Sequence, residues 1–117
     1  MEAQKPKDPK NLSELEAKHW PQIEPYKARV GIKFSVKVKV GKTQHPMTPE
    51  HQIVFIEVYY GNKPIGKKFL KPAPKGVPSG GDKPEAEFEI MAEKPAKIIA
   101  FEFCNLHGLW QNDEKVG

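Results

Sequence analysis

The sequence predicts an all-β protein, an antiparallel sandwich of about seven strands. Three observations carry this. One segment alternates cleanly with period two, another is a β-branched and aromatic run, and no stretch has the 3.6-residue periodicity of a long helix. In the alternating segment Ile32, Phe34, Val36, Val38 and Val40 point one way while Lys33, Ser35, Lys37 and Lys39 point the other. Such a strand has one buried and one wet face. Ile53–Tyr60 is apolar on nearly both faces and reads as a central strand.

The remaining elements follow in order. Leu12–Lys18 suits one short helical turn, with Ser13 as its cap. Ile65–Leu70 is a weaker strand. Lys71–Pro84 is too rich in proline and glycine for regular structure. Glu85–Met91 alternates again, with Ala86, Phe88 and Ile90 inward. Lys97–Cys104 is a further strand and Leu109–Asn112 a last short one. Residues 1–11, rich in lysine and proline, read as a flexible polar lead, and residues 12–117 as a single domain.

With 117 residues there is room for one core of modest size. The net charge of +4 is spread along the chain, without the clustered basic stripe that nucleic-acid binding requires. No run approaches 18 apolar residues, and the polar start has no signal-like apolar segment, so the cytoplasm is the expected location and no membrane partner is expected. Cys104 is the only cysteine, which excludes an intrachain disulfide and any CxxC motif.

The chemistry lies in that cysteine and the four histidines. Singly, a histidine is most often an ordinary surface or core residue. Placement separates these from the ordinary case. His19 ends the N-terminal turn, just before Trp20-Pro21. His45 precedes Pro46, which forces it into an extended loop conformation. His51 lies just ahead of the central strand. Cys104 closes its strand, and His107 follows in the turn Asn105-Leu106-His107-Gly108. All five sit where strands end or loops begin, the places that display metal and catalytic groups. A Cys-x2-His turn sets a thiolate and an imidazole on one side of a bend, and its backbone amides can donate to the sulfur.

Three metals compete for such a set. Structural zinc takes four ligands, and here there are five candidates. Blue copper takes two histidines, a cysteine and an axial methionine, but no methionine follows His107. Four imidazoles and a thiolate suit iron in a square pyramid, with one position open for substrate. Iron is favoured on ligand count. A non-catalytic reading stands beside the enzymatic one: a β-sandwich with a structural metal, or a cupredoxin-like electron carrier.

The segments Ala17-Lys18-His19-Trp20-Pro21, His45-Pro46-Met47-Thr48-Pro49-Glu50-His51 and Cys104-Asn105-Leu106-His107-Gly108-Leu109-Trp110 resemble the three metal motifs of the superoxide reductases. The resemblance is to the one-iron type, or neelaredoxin, and runs in order from about Leu15 to Trp110. It implies an immunoglobulin-like seven-stranded sandwich with one iron per chain. It implies equatorial binding by His19, His45, His51 and His107 and axial binding by the Cys104 thiolate. The implied reaction is one-electron reduction of superoxide to hydrogen peroxide. The implied partners are a rubredoxin-like electron donor and further copies of the chain, as in a homotetramer.

The resemblance also makes Lys18 the motif lysine, a cation that attracts superoxide and orients a proton-bearing water. In a chain so rich in lysine, the plain alternative is a solvated surface group. Glu50 and Asn105, beside the ligands, are candidates to support them. Trp20 and Trp110 either wall the site or pack in the core. One position departs from the motif. The glutamate normally found two residues before the first histidine, which caps ferric iron, is Ala17 here, and Glu16 is one place out of register as a substitute.

Overall fold

The computed structural model describes residues 2–77 and 79–117. Met1, in the polar lead, and Pro78, in the 71–84 loop, lie outside the described residues. One short helix, α1 (Glu14–His19), precedes seven strands: β1 (Pro21–Tyr26), β2 (Lys33–Val40), β3 (Ile53–Tyr60), β4 (Lys63–Phe69), β5 (Glu85–Met91), β6 (Ala96–Cys104) and β7 (Gly108–Val116). They form two antiparallel sheets, in orders β1-β2-β5 and β4-β3-β6-β7. Among the described residues no helix is long and apolar enough to cross a membrane.

Alternation puts Phe34, Val36, Val38 and Val40 of β2 inside, with Val36 and Val38 at 0% exposure. Burying each such side chain stabilises the fold by about 1.5–3 kcal/mol. They pack in one core with Ile53, Ile56 and Val58 of β3, Ile90 of β5, and Ile98 and Ala100 of β6. β3 sits between β4 and β6, as a strand apolar on both faces should. β4 forms the sheet edge and is mostly exposed, which accounts for its weaker signal.

Two elements differ from the sequence expectation. β1 is absent from it, because Pro21 and Pro25 interrupt the strand pattern. Both are tolerated since β1 is an edge strand, paired only with β2. β7 runs to Val116 rather than stopping at Asn112. Its polar stretch lacks strand composition, yet it pairs along all of β6, from Cys104↔Gly108 to Ala96↔Val116. The two sheets are tied beside the site, where Trp20 Nε1 donates to Gln111 O (2.9 Å) and Asn112 Nδ2 to Pro21 O (2.8 Å).

In the lead, Gln4 forms an isolated parallel bridge with Trp110. Its amide donates to Leu109 O (2.8 Å), and its side chain to His107 O (2.7 Å). These bonds are not announced by the composition of residues 1–11.

Candidate metal centre

Each ligand candidate is delivered by a different local device. α1 begins with a capping box: Glu16 N donates to Ser13 Oγ (3.1 Å), and Ser13 N to Glu16 Oε1 (2.9 Å). It ends at His19, which is buried. The loop after β2 carries His45 and His51. Within it Thr48 N donates to His51 O and His51 N to Thr48 O, a tight turn that aims His51 just before β3. Cys104 and His107 occupy the tip of the β6–β7 hairpin. There Cys104 pairs with Gly108, whose φ of +84° closes a short loop as glycine readily does.

The four imidazoles form a four-sided ring. Neighbours meet edge to face, at 4.7 Å for His19–His45, 4.5 Å for His45–His51, 5.1 Å for His51–His107 and 4.7 Å for His107–His19. The diagonal His19–His51 pair is 6.2 Å apart with planes 27° from parallel. His19 Nε2 lies 3.1 Å from both His45 Nε2 and His107 Nδ1. Cys104 Sγ is 3.5 Å from His45 Nε2 and 3.8 Å from His107 Nδ1, which are opposite corners.

Carbonyl contacts fix which nitrogens face inward. His19 Nδ1 donates to Leu15 O (2.7 Å) and His45 Nδ1 to Pro46 O (2.6 Å). A carbonyl only accepts, so each Nδ1 carries the proton and each Nε2 presents a lone pair. Among the described residues, His51 Nε2 is buried with no hydrogen-bond partner. Such an atom is costly unless something occupies its lone pair. Adjacent imidazole ligands at about 2.0–2.1 Å from a metal would be about 3 Å apart, which matches the 3.1 Å spacings. His19, His51, Cys104 and His107 each offer a ligand atom within 4.8 Å of the others, a set that fits a single transition metal ion. His45 lies outside that group but beside it, its Nε2 3.1 Å from His19 Nε2 and 3.5 Å from Cys104 Sγ.

Burial sets the protonation of this cluster. It holds His19 and His51 below the ordinary imidazole value and takes His45 down to about 4. The neighbouring rings add to the effect. Neutral imidazoles are the form that binds metal. Burial holds the Cys104 thiol above its ordinary value, and the amides of His107 and Leu106 offset only part of the rise. Met47 is no competing ligand, because its sulfur accepts a hydrogen bond from Ile53 N (3.4 Å).

Of the other residues singled out in the sequence, Asn105 is the most firmly built in. Its side chain accepts from Gln52 N (2.8 Å) and donates to Glu50 O (2.9 Å), clamping the His51 loop to the Cys104 turn. Glu50 enters this clamp through its backbone carbonyl. Lys18 is partly exposed, 3.6 Å from Glu14, and its charge is felt at His19 and His51. Ala17 is a half-buried helix residue two positions before His19. Glu16 is not brought to the site, since its two carboxylate oxygens accept from Ser13 N and Lys7 N (3.1 Å). Trp110 is buried and stacks on His19, with centroids 5.5 Å apart and planes 24° from parallel. Trp20 instead links β1 to β7.

Sequence reasoning did not weigh Glu102. It lies on the inward face of β6, two residues before Cys104, fully buried with neither oxygen paired among the described residues. Burial pushes its carboxyl up to about 9. The signal was its register, a glutamate in phase with Ile98, Ala100 and Cys104.

The chain matches the desulfoferrodoxin family over residues 11–113. A superoxide reductase from Pyrococcus horikoshii is 40% identical over 101 residues, covering 82% of this chain and 84% of that one. A desulfoferrodoxin homologue from Archaeoglobus fulgidus is 41% identical over 103 residues, covering 88% of this chain and 68% of that one. Among solved structures, the superoxide reductase (neelaredoxin) from Archaeoglobus fulgidus in its reduced form superposes with a TM-score of 0.69. It is 35% identical and covers 86% of this chain and 90% of that chain.

Proposed function

This chain belongs to the desulfoferrodoxin family, and from that premise we infer that it is a superoxide reductase carrying one non-haem iron. The observation that carries the reading is the ring of four imidazoles with the Cys104 sulfur 3.5 Å from one corner and 3.8 Å from the opposite one. His19, His45 and His51 through Nε2, His107 through Nδ1 and Cys104 through Sγ would hold the ion. An iron ion held there would supply the single electron that superoxide accepts. With two protons, superoxide leaves as hydrogen peroxide, and no dioxygen is returned.

The chain's own residues set up this chemistry. The anionic sulfur would lower the positive charge at the site, which favours the ferric product, while the neutral imidazoles add no charge of their own. Those five donors would hold the ion and leave it able to take substrate. Lys18 draws the anion in and holds water that carries a proton. Trp110, stacked on His19, keeps that flank of the ring dry.

The electron must be replaced after each turnover, and the reading assigns this to a rubredoxin-like donor. Support comes from Leu106, 61% exposed in the turn between Cys104 and His107, which offers an apolar contact beside two ligands. By family likeness the reading also includes association with further copies of the chain, as in a homotetramer. The outer face of the four-stranded sheet supports association, since Phe55, Tyr59, Phe101 and Phe103 cluster there half-buried.

Elemental analysis of the purified protein tests the reading. One iron per chain is expected, with a visible sulfur-to-iron charge-transfer band on oxidation. Colourless zinc, or the intense blue of copper, would replace the enzyme with a structural site or an electron carrier.

A further inference from the structure

Pro21 leaves α1 with a problem at its C-terminus. The Ala17 carbonyl would ordinarily accept from the amide four residues on, and proline has none. The turn that follows β2 supplies replacements. Lys42 N donates to Ala17 O (2.7 Å), as does Thr43 N (3.2 Å), and Gly41 N donates to Trp20 O (3.3 Å). The helix end therefore sits on the backbone of residues 41–43.

That seat requires glycine. Gly41 has φ of +80°, and a Cβ there would lie 2.6 Å from Lys18 O and 2.7 Å from Ala17 O. Both obstacles are backbone atoms, so relief would come only by moving the helix end or the turn. Two residues after Thr43 the same segment delivers His45, whose Nε2 is 3.1 Å from that of His19. One hydrogen-bonded unit thus carries two adjacent corners of the imidazole ring, one from the helix and one from the loop.

We propose that the Gly41–Thr43 turn is the positioning element for the His19–His45 pair, with Gly41 the residue that allows helix and loop to approach. This rests on the reading of the ring as a metal site. Gly41 touches neither metal nor substrate and acts only through the two histidines. A shift of a few tenths of an ångström at the seat passes directly to the Nε2–Nε2 spacing.

Gly31 provides the control. Its φ is +92°, but nothing lies within 4 Å of an added Cβ. Gly31→Ala imposes the backbone strain without the collision. In the iron-loaded full chain, Gly41→Ala should release iron to a chelator about tenfold faster than wild type and shift the ferric absorption band. Gly31→Ala should match wild type in both, even where its melting temperature falls. Should Gly41→Ala not fold, Gly41→Asn tolerates the positive φ better while keeping the colliding Cβ. Wild-type release and spectrum in the folded Gly41 variant, or equal losses in Gly31→Ala, would overturn the proposal. Titration with Co2+ separates it from the enzymatic reading. Weakened Co2+ binding in the Gly41 variant supports positioning whatever the protein does with superoxide. Unweakened binding refutes positioning and leaves the reductase reading standing.

Discussion

Asn105 and Gln52 exchange two hydrogen bonds, Gln52 N to Asn105 Oδ1 at 2.8 Å and Asn105 N to Gln52 O at 3.1 Å. They join the loop that presents His51 to the turn that presents Cys104 and His107. A third bond, from Asn105 Nδ2 to Glu50 O, doubles the clamp on the other side of His51. Asn105→Ala removes both side-chain bonds. It should cost about 1–2 kcal/mol of stability and weaken metal binding roughly tenfold, measured by denaturant unfolding and chelator competition. Asn105→Asp keeps the acceptor for Gln52 N but loses the donor to Glu50, so it should fall between the two.

Lys18 should set the encounter rate with superoxide. At about 6 Å and an effective dielectric near 20, its attraction for the anion is about 2–3 kcal/mol. Solvent around a side chain 42% exposed, and Glu14 at 3.6 Å, reduce this to about 1–2 kcal/mol. Lys18→Ala should slow the bimolecular reaction about tenfold, and the wild-type rate should fall with added salt. Glu14→Gln, which removes the competing carboxylate, should raise the rate. Pulse-radiolysis rates indifferent to all three changes would make Lys18 a bystander.

Position 17 should matter to the oxidised state and little to the first step. The Ala17 methyl offers no ligand atom, and the Glu16 carboxylate is committed to the helix cap. Ala17→Glu, which restores the family motif, should therefore shift the ferric absorption band and its pH dependence while the initial superoxide rate stays close to wild type. Identical ferric spectra in the two proteins would remove position 17 from the site.

Glu102 should give stability a pH slope. Its folded carboxyl titrates at about 9 against 4.5 for the ordinary group, so between those values the folded state holds a proton that the unfolded state has released. Stability attributable to this group is full below about pH 4.5 and is lost as pH rises towards 9, by at most about 1.4 kcal/mol per pH unit. Glu102→Gln keeps the shape and removes the titration. Its stability relative to wild type should rise steadily from pH 5 to pH 8 in urea unfolding of the iron-loaded protein. Parallel profiles would mean that the carboxyl is charged and paired in solution.

Much of the site was legible because its residue types are unusual for their places. Histidines at loop ends and a cysteine closing a strand stand out against strands whose inward positions are aliphatic. β2 and β5 were legible because period-two alternation and burial coincide along them, and β3 because its β-branched and aromatic run is apolar on nearly both faces. β1 was hidden by Pro21 and Pro25, whose fitness for a strand depends on being at a sheet edge, a tertiary fact. β7 was read short because the stretch from Asp113 to Val116 owes its strand conformation to pairing with β6 rather than to its own composition. The commitment of Glu16 was readable, since Ser13-x-x-Glu16 is a capping-box spacing. The seat of Ala17 on Lys42 and Thr43 was not, because it joins backbone groups 25 or more residues apart.

The most direct test of the central claim is the yield of hydrogen peroxide per superoxide consumed by the iron-loaded protein, supplied with excess electron donor. Reduction at this site predicts one peroxide for each superoxide, with no dioxygen evolved and one electron drawn from the donor per turnover. One peroxide for every two superoxides, accompanied by dioxygen and without donor oxidation, would mean dismutation and would contradict the account.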